Sequence, residues 1–542
     1  MAERNQSTGG FERHAFTVTL LTIVSRMGGL LREASFSRFI GVSEASSALA
    51  FAMLVPNLFR RLFGEGALTA AIVPELARLE DRNPAEARRL AFVALTRVTL
   101  FLVFITVVSE VVLYALPTSF TEHSLGLRTL AIALPYMPLV CLAALAGAVL
   151  QVRGRFGPAA SMPIVLNLSM VCSVIIAYVV AGGQVGSDHI WIVAIGLVVA
   201  GIAQALWTVI MVVRTRPAVS TTSGSGERRR PPGRRARRAF RRVLLRSLPM
   251  ILGLGVLQLN TFLDGLIAGW PAITGQSTMF GHDYPLGPKA LATLTYAQRL
   301  YEFPLGVFGI AVATAIFPQL SREVARPDVF RSTLRKGLRL AFYIGLPASV
   351  GIAVLREPIV SVVYQGLAFD AKDVLLVSPV LLAYSVAIWS YSLNQVFVRG
   401  FYAQRRPMTA VWIAIAVVFL NLGLNIFFVF GTSLGVTGLA WSTAICAIVQ
   451  TGALCFTIRR SLGAIISSDV LRSMIRTLFS ALLMGGLLVL LFAMLPPTST
   501  WSGHLLQLLL LVPFGAMCFA GATFMLGMPE WRWALGRTTN TD

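Results

Sequence analysis

Apolar runs of about 20 residues, separated by short polar connections, recur from one end of the chain to the other. That is the length a helix needs to cross a bilayer core of about 30 Å. The pattern predicts an all-α polytopic membrane protein with about 14 transmembrane helices. Their centres fall near residues 28, 60, 103, 138, 170, 202, 258, 302, 348, 386, 419, 446, 485 and 515. Composition agrees: 56% of residues are hydrophobic and 13% charged, against about 25% charged in ordinary soluble domains. Arg4 and Arg13 with no small-residue cleavage site after a short apolar core predict no cleavable leader, so the first apolar run is expected to be retained.

The net charge of +22 would point to nucleic acid in a soluble protein. Here the arginines crowd into alternate connections, among them Arg78 to Arg89, Arg153 and Arg155, Arg322 to Lys336, Arg399 to Arg406, and Arg459 to Arg476. The intervening connections hold very few basic residues: Lys289, Arg356 and Lys372. The positive-inside rule therefore places both termini in the cytoplasm and gives the excess charge to topology and anionic lipid, not nucleic acid. Residues 217–245 form a Ser/Gly-rich and then Arg-rich linker that divides the chain.

The two sides of that linker look duplicated. TAAIVPELAR at 69–78 resembles ATAIFPQLSR at 313–322, an offset of 244, and Gln151 and Gln395 repeat that offset. Gln204 and Gln450 differ by 246. The expected organisation is a six-helix lobe over 1–216, the linker, a second six-helix lobe over 246–460, and a helix pair with tail over 461–542. An even number of spans per lobe makes the repeats parallel.

Candidate chemistry comes from charges that lipid would exclude. The first apolar segment contains Arg26, Arg32 and Glu33, and the second, PNLFRRLFGEGA, contains Asn57, Arg60, Arg61 and Glu65. An arginine facing lipid at a helix centre costs about 2.5–3.5 kcal/mol, so these should face a wet interior. Arg26 and Arg32 lie about 120° apart on a helix and can border one cavity. Guanidinium groups bind phosphate oxygens bidentately, so a cationic cavity suits an anionic substrate. The same residues would also serve as intramembrane salt bridges that fix packing, with Arg61 and Glu65 at i,i+4 spacing.

In the second half Arg299 and Glu302 lie three apart, ahead of Pro304. Asp264, Asn421 and Asn425 are polar positions in apolar segments that could hold a sodium ion, or bond between helices. The five cysteines lack metal-ligand spacing and read as packing thiols. There is no HExxH, no Walker lysine and no GxSxG, so neither metal hydrolysis, internal ATP use nor a serine nucleophile is indicated. A membrane glycosyltransferase would need an acid or base on an outer loop, where only His282 and Asp283 form an obvious pair.

SRMGGLLRE, PNLFRRLFGEGALTAAIVP, RFGPAASMPIVLN and TYAQRLYEFPLGVFGIAVATAIFPQLS resemble the MurJ/MviN family of lipid II flippases, from about residue 15 to 525. The family belongs to the multidrug/oligosaccharidyl-lipid/polysaccharide exporter superfamily, which implies two lobes and alternating access. The resemblance implies that Arg26, Arg32, Arg60, Arg61 and Glu65 correspond to its cavity residues in the first lobe, and Arg299 and Glu302 to those in the second. Glu33 and Asn57 are counted with the substrate-binding set.

Ser47 stands where many members carry an aspartate, Glu33 where an aspartate often follows the arginine, and Asn425 where a sodium site would have a carboxylate. The implied protein is an inner-membrane flippase without an organic cofactor, driven by sodium or the membrane potential. Its implied partners are lipid II, membrane lipids and the cell-wall synthesis machinery. The alternatives are a flippase for another polyprenyl-linked glycan and a drug/cation antiporter of the same superfamily.

Overall fold

The computed structural model describes residues 20–21, 24–64, 67–116, 124–183, 185–215, 234–279, 281–306 and 310–534. Glu65 and residues 217–233 of the basic linker lie outside them. The chain divides into two compact units, residues 1–289 and 290–542. Both are helical, apart from a two-stranded antiparallel hairpin, β1 Thr278–Met279 and β2 His282–Asp283.

In the first unit, α1 spans 24–40 and α2 spans Glu44–Phe59. The Ser43 hydroxyl accepts from the Ser46 amide at 3.2 Å and the Ser46 hydroxyl accepts from the Ser43 amide at 2.9 Å. This reciprocal cap satisfies two amides that the helix start would otherwise leave unbonded. After Phe59 the backbone widens into a π-helical turn, Arg60–Gly64, before α3, Ala67–Arg82. Then follow α4 Pro84–Ala115, capped by Asn83, α5 Leu125–Ala133, α6 Tyr136–Val152, α7 Gly157–Val180, α8 Ile190–Arg214 and α9 Arg234–Thr274.

Almost every residue of α6 is buried, and it packs against α8, α4 and α7 as the core helix of this unit. α9 packs on α2, α3, α4 and α5. The start of α5 fits closely against its end: a Cβ on Gly126 would lie 2.5 Å from the Ala272 carbonyl oxygen. Ser124 Oγ donates to the Ile273 carbonyl beside it. Tyr284 anchors the hairpin by donating to the Ile267 carbonyl at 2.7 Å, and burial pushes its hydroxyl up to about 12.

The second unit contains α10 Ala290–Pro304, α11 Ile310–Glu323, α12 Pro327–Val354, α13 Arg356–Tyr364, α14 Ala371–Ser385, α15 Ile388–Ala403, α16 Pro407–Gly431 and α17 Val436–Leu462. It ends with α18 Ser468–Met494, α19 Trp501–Met525 and the short α20 Glu530–Ala534. α12 is its hub, packing on α15, α11 and α18. One core cluster joins Phe330, Leu334 and Leu338 to Phe397 and Ile458, and a second joins Tyr343 and Leu346 to Met484, Leu511 and Phe519.

Nine helices among the described residues are long and apolar enough to cross a membrane, ten if the bent pair α14 and α15 is one span. Their outward faces carry large apolar side chains, such as Trp412 and Phe419 on α16, as a lipid-facing surface requires. The other four expected centres, near 28, 60, 258 and 302, fall on α1, at the junction of α2 with its π turn, on α9 and on α10, none of which is among the nine. These helices and the π turn after α2 carry most of the candidate polar residues, whereas Asn421 and Asn425 lie on α16. The π turn after α2 is followed by a second break after Pro304, where residues 305–306 are again π-helical. The two breaks share the offset of the repeated motifs.

Candidate functional site

The first unit presents two arginine groups. On α1, Arg32 Nη2 lies 2.6 Å from Glu33 Oε1 and Nη1 donates to Asn167 Oδ1 of α7 at 3.0 Å. Both side chains of the ion pair are 13% exposed. Asn167 in turn donates from Nδ2 to the Ser25 carbonyl at 3.1 Å, so one amide holds both the arginine and the backbone about two turns before it. Gly28 permits this approach, because a Cβ there would meet Asn167 Nδ2 at 3.3 Å. Arg32 Nε is buried and has no hydrogen-bond partner among the described residues. Two of the three guanidinium nitrogens are thus fixed, and the third is a buried donor. Arg26 lies exposed on the same helix.

The second group sits at the π turn. Arg60 Nε donates to Asn57 Oδ1 at 3.4 Å, and Arg61 Nη1 donates to Gln258 Oε1 of α9 at 2.8 Å. A π turn displaces side chains from the regular helical register, a device found frequently at functional sites. Here it places two consecutive guanidiniums, with Gly64 packed against Ala144 of α6. Ser47, at the position the family often fills with an acid, is completely buried.

On α10 in the second unit, Arg299 Nη1 lies 3.3 Å from Glu302 Oε2, and Gln298 Nε2 donates to Glu302 Oε1 at 3.2 Å. The pair is about one-third exposed, as a group bordering a wet space would be. An exposed i,i+3 pair contributes well under 1 kcal/mol, about what surface pairs give, so stability alone does not require it.

The three residues considered for sodium fall in different units. Asp264 is buried on α9, where Asn260 Nδ2 donates to its Oδ2 at 3.4 Å. In the second unit Asn425 Nδ2 donates to Asn421 Oδ1 at 2.9 Å, Asn421 Nδ2 to Ser442 Oγ at 3.4 Å, and Ser442 Oγ to Asn425 Oδ1. These amides form a closed ring between α16 and α17, the interhelical bonding that was the other reading of the pair. No group of three or more His, Cys, Asp or Glu side chains able to hold a metal occurs among the described residues. His282 and Asp283 are neighbours on β2, so their side chains point to opposite faces and do not converge.

Asn167 and Gln258 acquire roles that sequence reasoning did not give them. Asn167 lies inside RFGPAASMPIVLN and Gln258 six residues before Asp264, but their arginine partners lie 135 and 197 positions away. A lone amide in an apolar helix was the only available signal.

The sequence profile described as lipid II flippase MurJ matches residues 36–523. The chain is 28% identical over 456 residues to the probable lipid II flippase MurJ of Vibrio cholerae serotype O1, covering 81% of each. It is 26% identical over 487 residues to the lipid II flippase MurJ of Burkholderia cenocepacia, covering 88% of this chain and 89% of that one. Among solved structures, a lipid II flippase MurJ in an inward closed conformation superposes with a TM-score of 0.73 at 21% identity, covering 96% of this chain and 99% of that one. An inward-facing MATE multidrug resistance transporter of the MOP superfamily gives 0.63 at 15% identity, covering 83% and 98%. At these identities the superpositions establish the shared helical fold.

Proposed function

The chain belongs to the lipid II flippase MurJ family, and from that premise we propose how it carries lipid II from the cytoplasmic to the periplasmic leaflet of the bacterial inner membrane. The observation that carries the mechanism is Arg32, whose Nη1 and Nη2 are bonded while the buried Nε has no partner among the described residues. A pyrophosphate oxygen accepting from Nε completes its hydrogen bonding. The Arg60 and Arg61 pair supplies further donors, and Arg26 a further positive charge. Glu33 and Asn167 orient Arg32, as Asn57 and Gln258 orient Arg60 and Arg61. Arg299 and Glu302 form the polar group of the second unit that meets substrate. The α1, α2 and α9 segments of the first unit cross the bilayer with their polar faces away from lipid, and so does α10 of the second unit. A cationic drug would meet repulsion at these arginines.

Energy comes from the membrane. A pyrophosphate diester carries about two negative charges, and an inside-negative potential favours moving each outward by about 2.3 kcal/mol per 100 mV. The same potential draws the empty, positively charged site toward the cytoplasmic-facing state. Substrate neutralises that charge and releases it. Sodium coupling would need oxygen ligands; Asp264 provides one, whereas the Asn421 and Asn425 carbonyls are occupied by each other and by Ser442. The reading is tested by complementing a strain depleted of its own lipid II flippase. Growth and lipid II accessible at the periplasmic face are expected. Lysis with the protein at normal level in the membrane overturns the reading.

A further inference from the structure

The second unit contains a cavity of about 170 Å³ that the transport mechanism leaves unused. It is lined by Arg339 of α12, by Asp469, Arg472, Ser473 and Arg476 of α18, and by Glu530 at the start of α20. The four α18 residues are spaced i, i+3, i+4 and i+7, so they share one helix face. Glu530 is fully buried, and its Oε1 accepts from Arg339 Nε at 2.6 Å and from Ser473 Oγ at 2.5 Å. Arg339 is thereby neutralised. Arg476 also lines the cavity and uses only Nη1, on the Leu526 carbonyl at 3.1 Å, among the described residues. Arg472 is exposed and makes no ion pair among the described residues. Three arginines against two carboxylates, Asp469 and Glu530, leave the cavity cationic.

Its depth identifies the occupant. The apolar span α19 ends at Met525 and α18 begins at Ser468, so the cavity lies where both helices leave the hydrocarbon. Trp531 and Trp533 of α20 flank it, the residue type that settles at headgroup level. Lys336 and Arg339 lie 5.9 and 4.9 Å from the Trp533 ring centroid, keeping further positive charge at the same level. The arginine-rich connection preceding α18 assigns this level to the cytoplasmic leaflet.

We propose that this cavity binds the phosphate of one anionic phospholipid headgroup, with Arg472 and Arg476 as its donors. Guanidinium-to-phosphate hydrogen bonds are charge-assisted and bidentate, whereas Asp469 and Glu530 disfavour an occupant of higher negative charge. A lipid held there ties α12, α18 and α20 together at the membrane surface.

The full-length protein in detergent is titrated with short-chain phosphatidylglycerol, and separately with inorganic phosphate, with bound copies counted by native mass spectrometry. Arg472→Ala is compared with Arg322→Ala, which removes the same charge from the exposed end of α11. Saturable binding of one tightly held phosphatidylglycerol is expected in the wild type and in Arg322→Ala. Binding about tenfold weaker is expected in Arg472→Ala, with the melting temperature of the lipid-free protein unchanged. Equal affinity in Arg472→Ala and wild type would overturn the proposal. Inorganic phosphate displacing the lipid at matched concentration would assign the cavity to a free anion and overturn the lipid reading.

Discussion

Replacing Asn167 by alanine isolates the positioning of Arg32 without touching a charge. The substitution removes the acceptor 3.0 Å from Arg32 Nη1 and the donor 3.1 Å from the Ser25 carbonyl. Glu33 remains on Nη2 at 2.6 Å, so the ion pair survives while the guanidinium loses its second anchor. A hydrogen bond to a charged group contributes about 1.5–3 kcal/mol and a neutral one about 0.5–1.5 kcal/mol. If about 2 kcal/mol of this is needed to hold Arg32 against the pyrophosphate, transport falls about 30-fold. Asn167→Asp keeps an acceptor but neutralises the arginine, and is expected to do no better than alanine. The assay is the rate at which lipid II becomes accessible across proteoliposomes at equal protein, with melting temperature measured alongside. Wild-type rates in Asn167→Ala, or a loss fully matched by unfolding at the assay temperature, would refute the positioning role.

The arginines themselves are expected to be more sensitive: Arg26→Ala, Arg32→Ala and Arg60→Ala should each abolish complementation while the protein still reaches the membrane, and Arg→Lys should rescue only partly, because lysine lacks the planar fork. Gly126→Ala places a methyl 2.5 Å from the Ala272 carbonyl, where backbone must move, and should destabilise the first unit by about 1–3 kcal/mol, read as a lower melting temperature. Glu530→Ala strands Arg339 beside a buried site and should cost about 3–5 kcal/mol, read the same way; an unchanged melting temperature would show that the pair is not structural. Shortening 220–236 while keeping some basic residues should leave transport largely intact, since that composition cannot support a packed core.

Most of the helical frame was legible because lipid and water impose one rule, apolar length, and helices such as α4, α7 and α16 obey it. The segments hardest to read were those that carry the site. α1 carries charges, and α2 and α10 combine charges with breaks, so their length and apolarity fall short while their chemistry stands out. The breaks themselves had signals, Gly64 in the first unit and Pro304 in the second, but a π turn differs from a simple kink only in backbone geometry. Arg32 and Arg61 were identifiable as costly intramembrane charges. Asn167 and Gln258 were not identifiable as their partners, since an amide 135 or 197 positions away leaves no periodic mark on a single sequence. The Asn421–Asn425 spacing was legible as one helix face, yet Ser442 of the next helix completes their bonding.

The most direct test of the account is lipid II movement in proteoliposomes holding the purified protein, with an imposed potential and no ATP. Lipid II is supplied in the leaflet equivalent to the cytoplasmic one, and its headgroup is scored on the opposite face. Rapid appearance is expected with wild-type protein under a potential negative on the supply side, little without that potential, and background levels with Arg32→Ala. Equal appearance in empty liposomes and in those with wild-type protein, or rates indifferent to Arg32 and to the potential, would contradict it.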